Sequence, residues 1–282
     1  MNKMLQTPLI LRKDWDILII LDACRYDYFR DLNSKYFPNA VPMKVISPAS
    51  NTYEWAKKVL EPHIWSDVVY VSANPWINSK IPVKDLDVRG KFFRIYDAWL
   101  YNWDDKKNTV WPDELTDVAI RLINKYKDKK FIIHYIQPHA PYLSLDIEQS
   151  SPFPLTGGDI GNKKTTLQRL EDFVVYKLLP RPLFKAFLKW RYSKGLPIGG
   201  PEFVAFANLS LDEWREAYMK NLEIALRSVR KLISRFNYKN VIITADHGEL
   251  LGDRFWFGYK VGHPAFVYYK ELVEVPWLEV KG

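Results

Sequence analysis

Asp246 and His247 stand side by side, directly after the run Val241-Ile-Ile-Thr-Ala and directly before Gly248. A carboxylate and an imidazole presented together at a strand end make a hard-to-borderline ligand pair, suited to Zn²⁺ or Mn²⁺. Gly248 allows the backbone a tight exit from the pair. Asp22 ends a second short apolar run, Asp16-Ile-Leu-Ile-Ile-Leu-Asp22. Alone, an aspartate at such a junction is more simply a helix cap or a turn residue. His263 lies between Gly262 and Pro264, and His139 lies within Pro138-His-Ala-Pro141, a few residues after His134. Four of the five histidines therefore fall in or beside expected loops, which weakens a purely structural reading of them. His63, in Glu-Pro-His-Ile-Trp, keeps that structural reading.

A candidate nucleophile comes from Ser50-Asn51-Thr52, which precedes the helically spaced stretch Tyr53 to Leu60. One of these polar residues should cap the helix, and Asn51 with Glu54 fits a capping box. Thr52 would then open the first turn, where the helix dipole and free N–H groups favour an alkoxide and any phosphate attached to it. Taken alone, capping is the simpler explanation of all three residues.

Positioning these groups is a task for strand ends, because ligands of open α/β sheets bind beyond the carboxyl ends of the strands. The run before Asp22 reads as a strand buried on both faces. Val68 to Ser72, Phe131 to Tyr135 and Val241 to Thr244 repeat the pattern, with helical spacing between them. Strands alternating with helices imply crossover connections and a mostly parallel sheet. The longest helix is expected over Leu211 to Phe236, leading into the strand at Val241. Between about 143 and 209 the pattern changes to Pro- and Gly-rich ends around a basic, aromatic centre, which reads as an insertion in a single domain spanning 1–282.

Composition bounds the rest. The 282 residues are 48% hydrophobic and 26% charged, an ordinary globular balance. The single cysteine, Cys24, excludes an internal disulfide and a Cys-rich zinc cage. The N-terminal stretch has no apolar run of signal-peptide quality, and no stretch approaches the roughly 18 apolar residues that span a bilayer. A soluble, cytoplasmic protein is the expectation, with the inner face of the membrane as a place for peripheral attachment. The net charge of +8 is concentrated between Lys163 and Lys194, which holds nine Lys or Arg against Glu171 and Asp172.

Taken in order, ILIILDACRYDYF, SPASNTYEW, HYIQPHAPY, VIITADHGELLGD, VGHPA and ELVEVPWLEV resemble the alkaline phosphatase superfamily in its sulfatase-like branch. The most specific part is TADHGELLGD followed closely by GHP. The resemblance implies an alkaline-phosphatase-like three-layer sandwich with a mostly parallel central sheet and, here, a helical basic insertion. It implies a first strand ending in a metal-binding aspartate, matched by Asp22, and a late strand ending in an Asp-His metal pair, matched by Asp246 and His247. The family nucleophile begins a helix between them; Thr52 matches best, and Ser50 is the runner-up.

Two departures qualify the resemblance. Sulfatases of the superfamily use a Cys or Ser in C/S-x-P-x-R that becomes formylglycine, and Cys24-Arg-Tyr-Asp-Tyr28 is not that motif. Cys24 reads as a small packing residue. Gln137 stands where many relatives read Asp-Pro-His, which puts a complete second metal shell in doubt.

The expected chemistry is attack on a phosphoester by Thr52, activated by a divalent ion (Zn, Mn, Mg or Ca) on Asp22, Thr52, Asp246 and His247. A second ion is left open. His139 and His263 would serve nonbridging oxygens or the leaving group. Hydrolysis and transfer both fit. A sulfatase and a non-catalytic metal-binding scaffold on a membrane or anionic polymer are the alternatives. The expected partner is an anionic ester substrate, with a membrane surface reached through the basic insertion. No nucleic-acid motif accompanies the basic charge, so nucleic acid is not expected, and oligomeric state is not legible.

Overall fold

All five residues of the apolar run after Asp16 are buried, so both faces of the strand that they form are covered. Fully burying a Leu or Ile side chain contributes about 1.5–3 kcal/mol, which makes this strand the natural centre of a layered core. The computed structural model describes residues 4–146, 174–236 and 240–281. The first part runs through helix α1 (Gln6–Leu11), strand β1 (Ile17–Leu21), helix α2 (Tyr26–Tyr36), strand β2 (Met43–Ile46) and helix α3 (Thr52–Val59). Strands β3 (Trp65–Ser72) and β4 (Phe92–Asp97), helix α4 (Ala98–Tyr101) and the short pair β5 (Trp103–Asp104) and β6 (Thr109–Val110) follow. Helix α5 (Pro112–Lys125) then leads to strand β7 (Lys130–Tyr135). Beyond residue 174 come a π-helical turn (Val174–Leu178) and helices α6 (Arg181–Ser193), α7 (Pro201–Asn208) and α8 (Leu211–Ile233). The chain closes through β8 (Val241–Thr244), β9 (Leu250–Leu251), β10 (Val261–Gly262), helix α9 (Lys270–Val273) and β11 (Glu274–Val280).

The central sheet has seven strands in the order β2-β11-β8-β1-β7-β3-β4. β8, β1, β7, β3 and β4 are mutually parallel, with Ile17 in register with both Phe131 and Val241. β11 is antiparallel to β8 and β2. The expected mixed α/β fold with a mostly parallel sheet is what forms. Trp55, Ala56 and Val59 of α3 and Leu222, Ala225 and Val229 of α8 join the strands in one core. The long helix starts where the sequence places it: Ser210 and Glu213 form a complete capping box. It ends at Ile233, slightly short of Phe236.

The described half of the insertion builds a second apolar cluster of its own. Phe184, Leu188, Val204 and Phe206 pack with Trp214 and Tyr218 of α8 and with Leu251 and Val261 of the β9–β10 hairpin. Pro180 stands between the π-helical turn and α6, as a residue without an N–H should. The expectation for Lys163 up to residue 173 lies outside the described residues. Among those described, no helix is long and apolar enough to cross a membrane.

Candidate metal and nucleophile site

Four adjacent parallel strands, β8, β1, β7 and β3, lay polar residues along one carboxyl edge: Asp246, Asp22, His134 and Asn74 in that order. Because neighbours in a sheet are about 4.8 Å apart, such a row is compact without any loop having to fold back. Ligand atoms of Asp22, His134 and Asp246 all lie within 4.8 Å of one another. His247 Nε2 is 3.3 Å from Asp22 Oδ1 and 3.5 Å from Asp246 Oδ2. Residues from opposite ends of the sequence therefore meet, as a shared ion requires.

Helix α3 brings the hydroxyl. Asn51 caps it, its side chain accepting from the Glu54 N–H at 2.8 Å. The reciprocal half of the expected box is displaced by one residue, since Glu54 Oε2 accepts from the Ser50 N–H. Thr52 is the first helical residue, and its Oγ1 lies 3.3 Å from His247 Nε2. Ser50 Oγ points elsewhere, its single proton within reach of Pro264 O at 2.9 Å and Glu54 Oε2 at 3.2 Å. Asn74 bridges the site, its Nδ2 donating to Asp22 Oδ2 at 2.6 Å and to Thr52 Oγ1 at 3.4 Å.

Two backbone features hold the ends together. Ala23 takes a left-handed φ of 59°, uncommon for a residue with a side chain, and its N–H donates to Asp246 Oδ1 at 3.2 Å. Gly248 donates to Leu272 O at 2.7 Å, and a Cβ there would meet Glu271 O at 2.1 Å. Close approach of the α9 backbone at Glu271, not an unusual turn, is what requires this glycine. Gly248→Ala is expected to destabilise the fold by roughly 1–3 kcal/mol through overpacking. A denaturant midpoint unchanged from wild type would refute that.

His139 and His263 form the outer wall. Their rings are 4.8 Å apart, and His263 is 4.7 Å from the ring of His247. Glu249 Oε2 lies 3.3 Å from His263 Nδ1, so His139, Glu249 and His263 make a second cluster able to hold an ion. Gln137 turns away, its amide donating to Thr109 Oγ1 and Val110 O. Arg25 is ion-paired with Asp27 and Asp253 at 2.6 and 2.9 Å, a structural use that leaves it out of the site. Cys24 is buried, and His63 packs beside Trp65 away from the site.

Charge is unevenly compensated here. Burial works against an ionised Asp22, but contact with His247 and the nearby His139 and His134 hold its carboxyl well below the usual range. Burial disfavours a charged His247, yet Asp246 and Asp22 outweigh it and raise that imidazole to about 9. Burial pushes Glu249 up to about 7 and lowers His134 and His263. The inner site is thus an anionic cluster whose carboxylates, Asp246 and Asp22, favour the charged form of the His247 imidazole.

Sequence reasoning counted His134 among the four noteworthy histidines but gave it no place in the site, and it left out Asn74 and Glu249. His134 lies inside β7, where a search confined to residues after strands does not look. Asn74 has no local signal. Glu249 lies within the most specific fragment and was passed over for its neighbours.

Neither a family model nor a curated relative matches the sequence. Solved structures do match. An integral membrane lipooligosaccharide phosphoethanolamine transferase A from Neisseria meningitidis superposes with a TM-score of 0.57 at 13% identity, over 94% of this chain and 47% of that one. Its soluble domain gives 0.56 at 13% identity, over 93% and 75%. A zinc complex of the C-terminal periplasmic domain of EptC from Escherichia coli gives 0.55 at 12% identity, over 94% and 72%. The chain thus spans about half the length of the full-length transferase. Periplasmic neighbours give the expected cytoplasmic location no support. At these identities the likeness speaks to architecture alone: the chain has a mixed α/β, alkaline-phosphatase-like fold with a mostly parallel central sheet.

Proposed function

We propose that this chain is a metal-dependent enzyme acting on phosphoesters, by hydrolysis or transfer, with Thr52 as its nucleophile. The observation that carries the reading is the convergence of Thr52 Oγ1 and Asp22 Oδ1 on His247 Nε2, each at 3.3 Å, at a helix start. The residues fit a divalent ion: Asp22 Oδ1, Asp246 Oδ2 and His134 Nε2 are buried without a hydrogen-bond partner. One imidazolium, that of His247, faces both buried carboxylates at 3.3 and 3.5 Å, and a divalent ion would offset the buried charge that it leaves uncompensated. Asp22, Thr52, Asp246 and His247 would hold the ion, with His134 beside them. When bound, it supplies Lewis acidity that lowers the pKa of the threonine hydroxyl and offsets charge on the phosphoryl oxygens.

The chain's own groups do the rest. Asn74 orients both the Asp22 carboxylate and the Thr52 hydroxyl. The α3 dipole favours negative charge at Oγ1 and on the group attached to it. Attack by the Thr52 alkoxide, its proton lost to solvent as the ion binds, would form the Oγ1–P bond and break the bond from phosphorus to the leaving oxygen, giving a phosphothreonine that water or an acceptor hydroxyl then cleaves, returning the threonine oxygen. His139 and His263, on the open side, are placed to donate to nonbridging oxygens or to the leaving oxygen. The cluster of His139, Glu249 and His263 supports the second ion left open by the sequence. Similarity to phosphoethanolamine transferases and to a zinc-bound relative agrees with phosphoester chemistry at a metal.

An unmodified threonine in place of a formylglycine hydrate favours phosphate over sulfate esters. The test is turnover of aryl phosphate mono- and diesters against aryl sulfate, with the protein loaded with Zn²⁺, Mn²⁺ or Mg²⁺. Phosphoester turnover is expected to exceed sulfate turnover and to vanish with a chelator. Robust sulfate turnover with weak phosphoester turnover would reverse the assignment, and metal binding without turnover on any ester would favour the scaffold.

A further inference from the structure

The hairpin β9–β10 grows out of the site: Glu249 directly precedes β9, and His263 directly follows β10. Its far end carries three consecutive aromatic residues facing solvent, Phe255, Trp256 and Phe257, at 42%, 58% and 73% exposure. Such a run ordinarily folds back onto the protein, because each ring gains by leaving water. Here the main chain prevents it. The Arg181 N–H donates to Phe255 O at 2.7 Å, the Gly258 N–H to Lys177 O at 3.0 Å, and Arg181 Nη1 to Gly252 O at 2.8 Å. The tip is therefore clamped to the start of α6, with the Phe255 ring under the Arg181 guanidinium and against Trp256, and with Trp256 and Phe257 more than half exposed.

The adjoining helix repeats the anomaly. α6 buries Phe184 and Leu188, yet Leu183 and Trp190, one face round and seven residues apart, are 58% and 54% exposed. Residues 174–196 hold six Lys or Arg and no acid. Clamped exposed aromatics with aliphatic neighbours and one sign of charge are what an anionic lipid surface selects: rings seat at the headgroup level and cations meet lipid phosphates.

We propose that the Phe255–Phe257 tip and the exposed side of α6 form a docking surface for an anionic bilayer. Docking sets the hairpin roots, Glu249 and His263, at a fixed distance from the headgroups, so that the site takes an ester borne by a lipid. That last step rests on the phosphoester reading above; the docking itself does not. It differs from attachment by the basic segment alone, because the aromatic hairpin is what enters the interface.

The test is co-sedimentation of the whole chain with vesicles of phosphatidylglycerol mixed into phosphatidylcholine, alongside turnover of a water-soluble aryl phosphate. Wild type is expected in the vesicle pellet at low salt, with binding weakened as salt screens the charges. Phe255→Ser, Trp256→Ser and Phe257→Ser together should lower the vesicle partition roughly tenfold or more, and leave soluble-ester turnover unchanged. Wild type remaining in the supernatant at low salt overturns the proposal. So does a triple variant that binds as well as wild type while Lys185→Glu, Lys189→Glu and Arg191→Glu together abolish binding, which would leave charge alone. Sedimentation of wild type without vesicles, abolished by the triple serine change, would make a second copy the occupant and overturn it too. Vesicle binding intact in a protein without turnover would sink the phosphoester reading and leave the docking surface standing.

Discussion

Thr52→Ala is expected to lower phosphoester turnover by roughly 10⁴-fold or more, the scale at which losing a covalent nucleophile removes a whole reaction path. The fold should survive, because the hydrogen-bond partners of Thr52 Oγ1 among the described residues are His247 and Asn74, and no helix cap depends on it. Thr52→Ser restores the hydroxyl without the methyl group and should recover much of the rate. The decisive comparison is burst kinetics. Wild type should form one phosphorylated residue per active site, found at Thr52 by mass spectrometry after acid quench, and the alanine variant should form none. An alanine variant that keeps turnover within tenfold of wild type would remove Thr52 from the mechanism. Ser50 would not simply inherit the role, since its hydroxyl is bound to Pro264 O and Glu54. Ser50→Ala should instead act on stability, by loosening the turn before α3.

Most of what positions this site was readable before any coordinates, for a physical reason. β1, β7 and β8 are interior strands of a parallel sheet, so their sequences are unbroken apolar runs with abrupt polar ends, and the ends are where ligands gather. Asp22, Asp246 and His247 announce themselves that way. Thr52 did so through the cap at Asn51. β2 and β11 were not read as strands. Half of β2 is exposed, and β11 carries Pro276 in its middle, which in sequence argues against a strand. β11 tolerates it inside the sheet, where Pro276 is in register with Lys44 and its carbonyl accepts from Thr244 Oγ1 at 2.6 Å. Asn74, and the place of His134 in the inner site, were hidden for a different reason. Their importance comes from which strands become neighbours, and strand order is a tertiary fact. The insertion was read as a helical basic element that reaches a membrane surface. Its described half packs through Phe184 and Leu188, while the same helix leaves Leu183 and Trp190 outside, a division between faces that the charge alone did not reveal.

Metal affinity is expected to rise about tenfold per pH unit between pH 7 and 9 and then level off, a change of roughly a hundredfold. The sign follows from His247. Its Nδ1 faces Gly248 O at 2.8 Å, which leaves Nε2, the nitrogen between Asp22, Asp246 and Thr52, to coordinate. In the metal-free protein that nitrogen keeps its proton up to about pH 9. Below this value each bound ion must displace one proton, so protons compete with the metal; above it the competition ends. Asp22, held well below the usual carboxylate range, is ionised throughout and adds no slope. Glu249, raised to about 7, adds a second proton only if an ion also enters the outer cluster, which would steepen the curve below neutrality. The stability of the metal-free protein should run the other way. A folded-state pKa raised above the ordinary 6.5 means that the contribution of His247 is complete below that value and is lost as pH climbs through 9. Metal-free melting temperature should therefore fall over that window, and added metal should reverse the fall. Competition titrations against a chelator of known pH response, together with melts in its presence, read both effects. A metal affinity flat from pH 7 to 9 would mean that His247 is neutral in the metal-free protein, and the inner cluster would need another source of compensating charge.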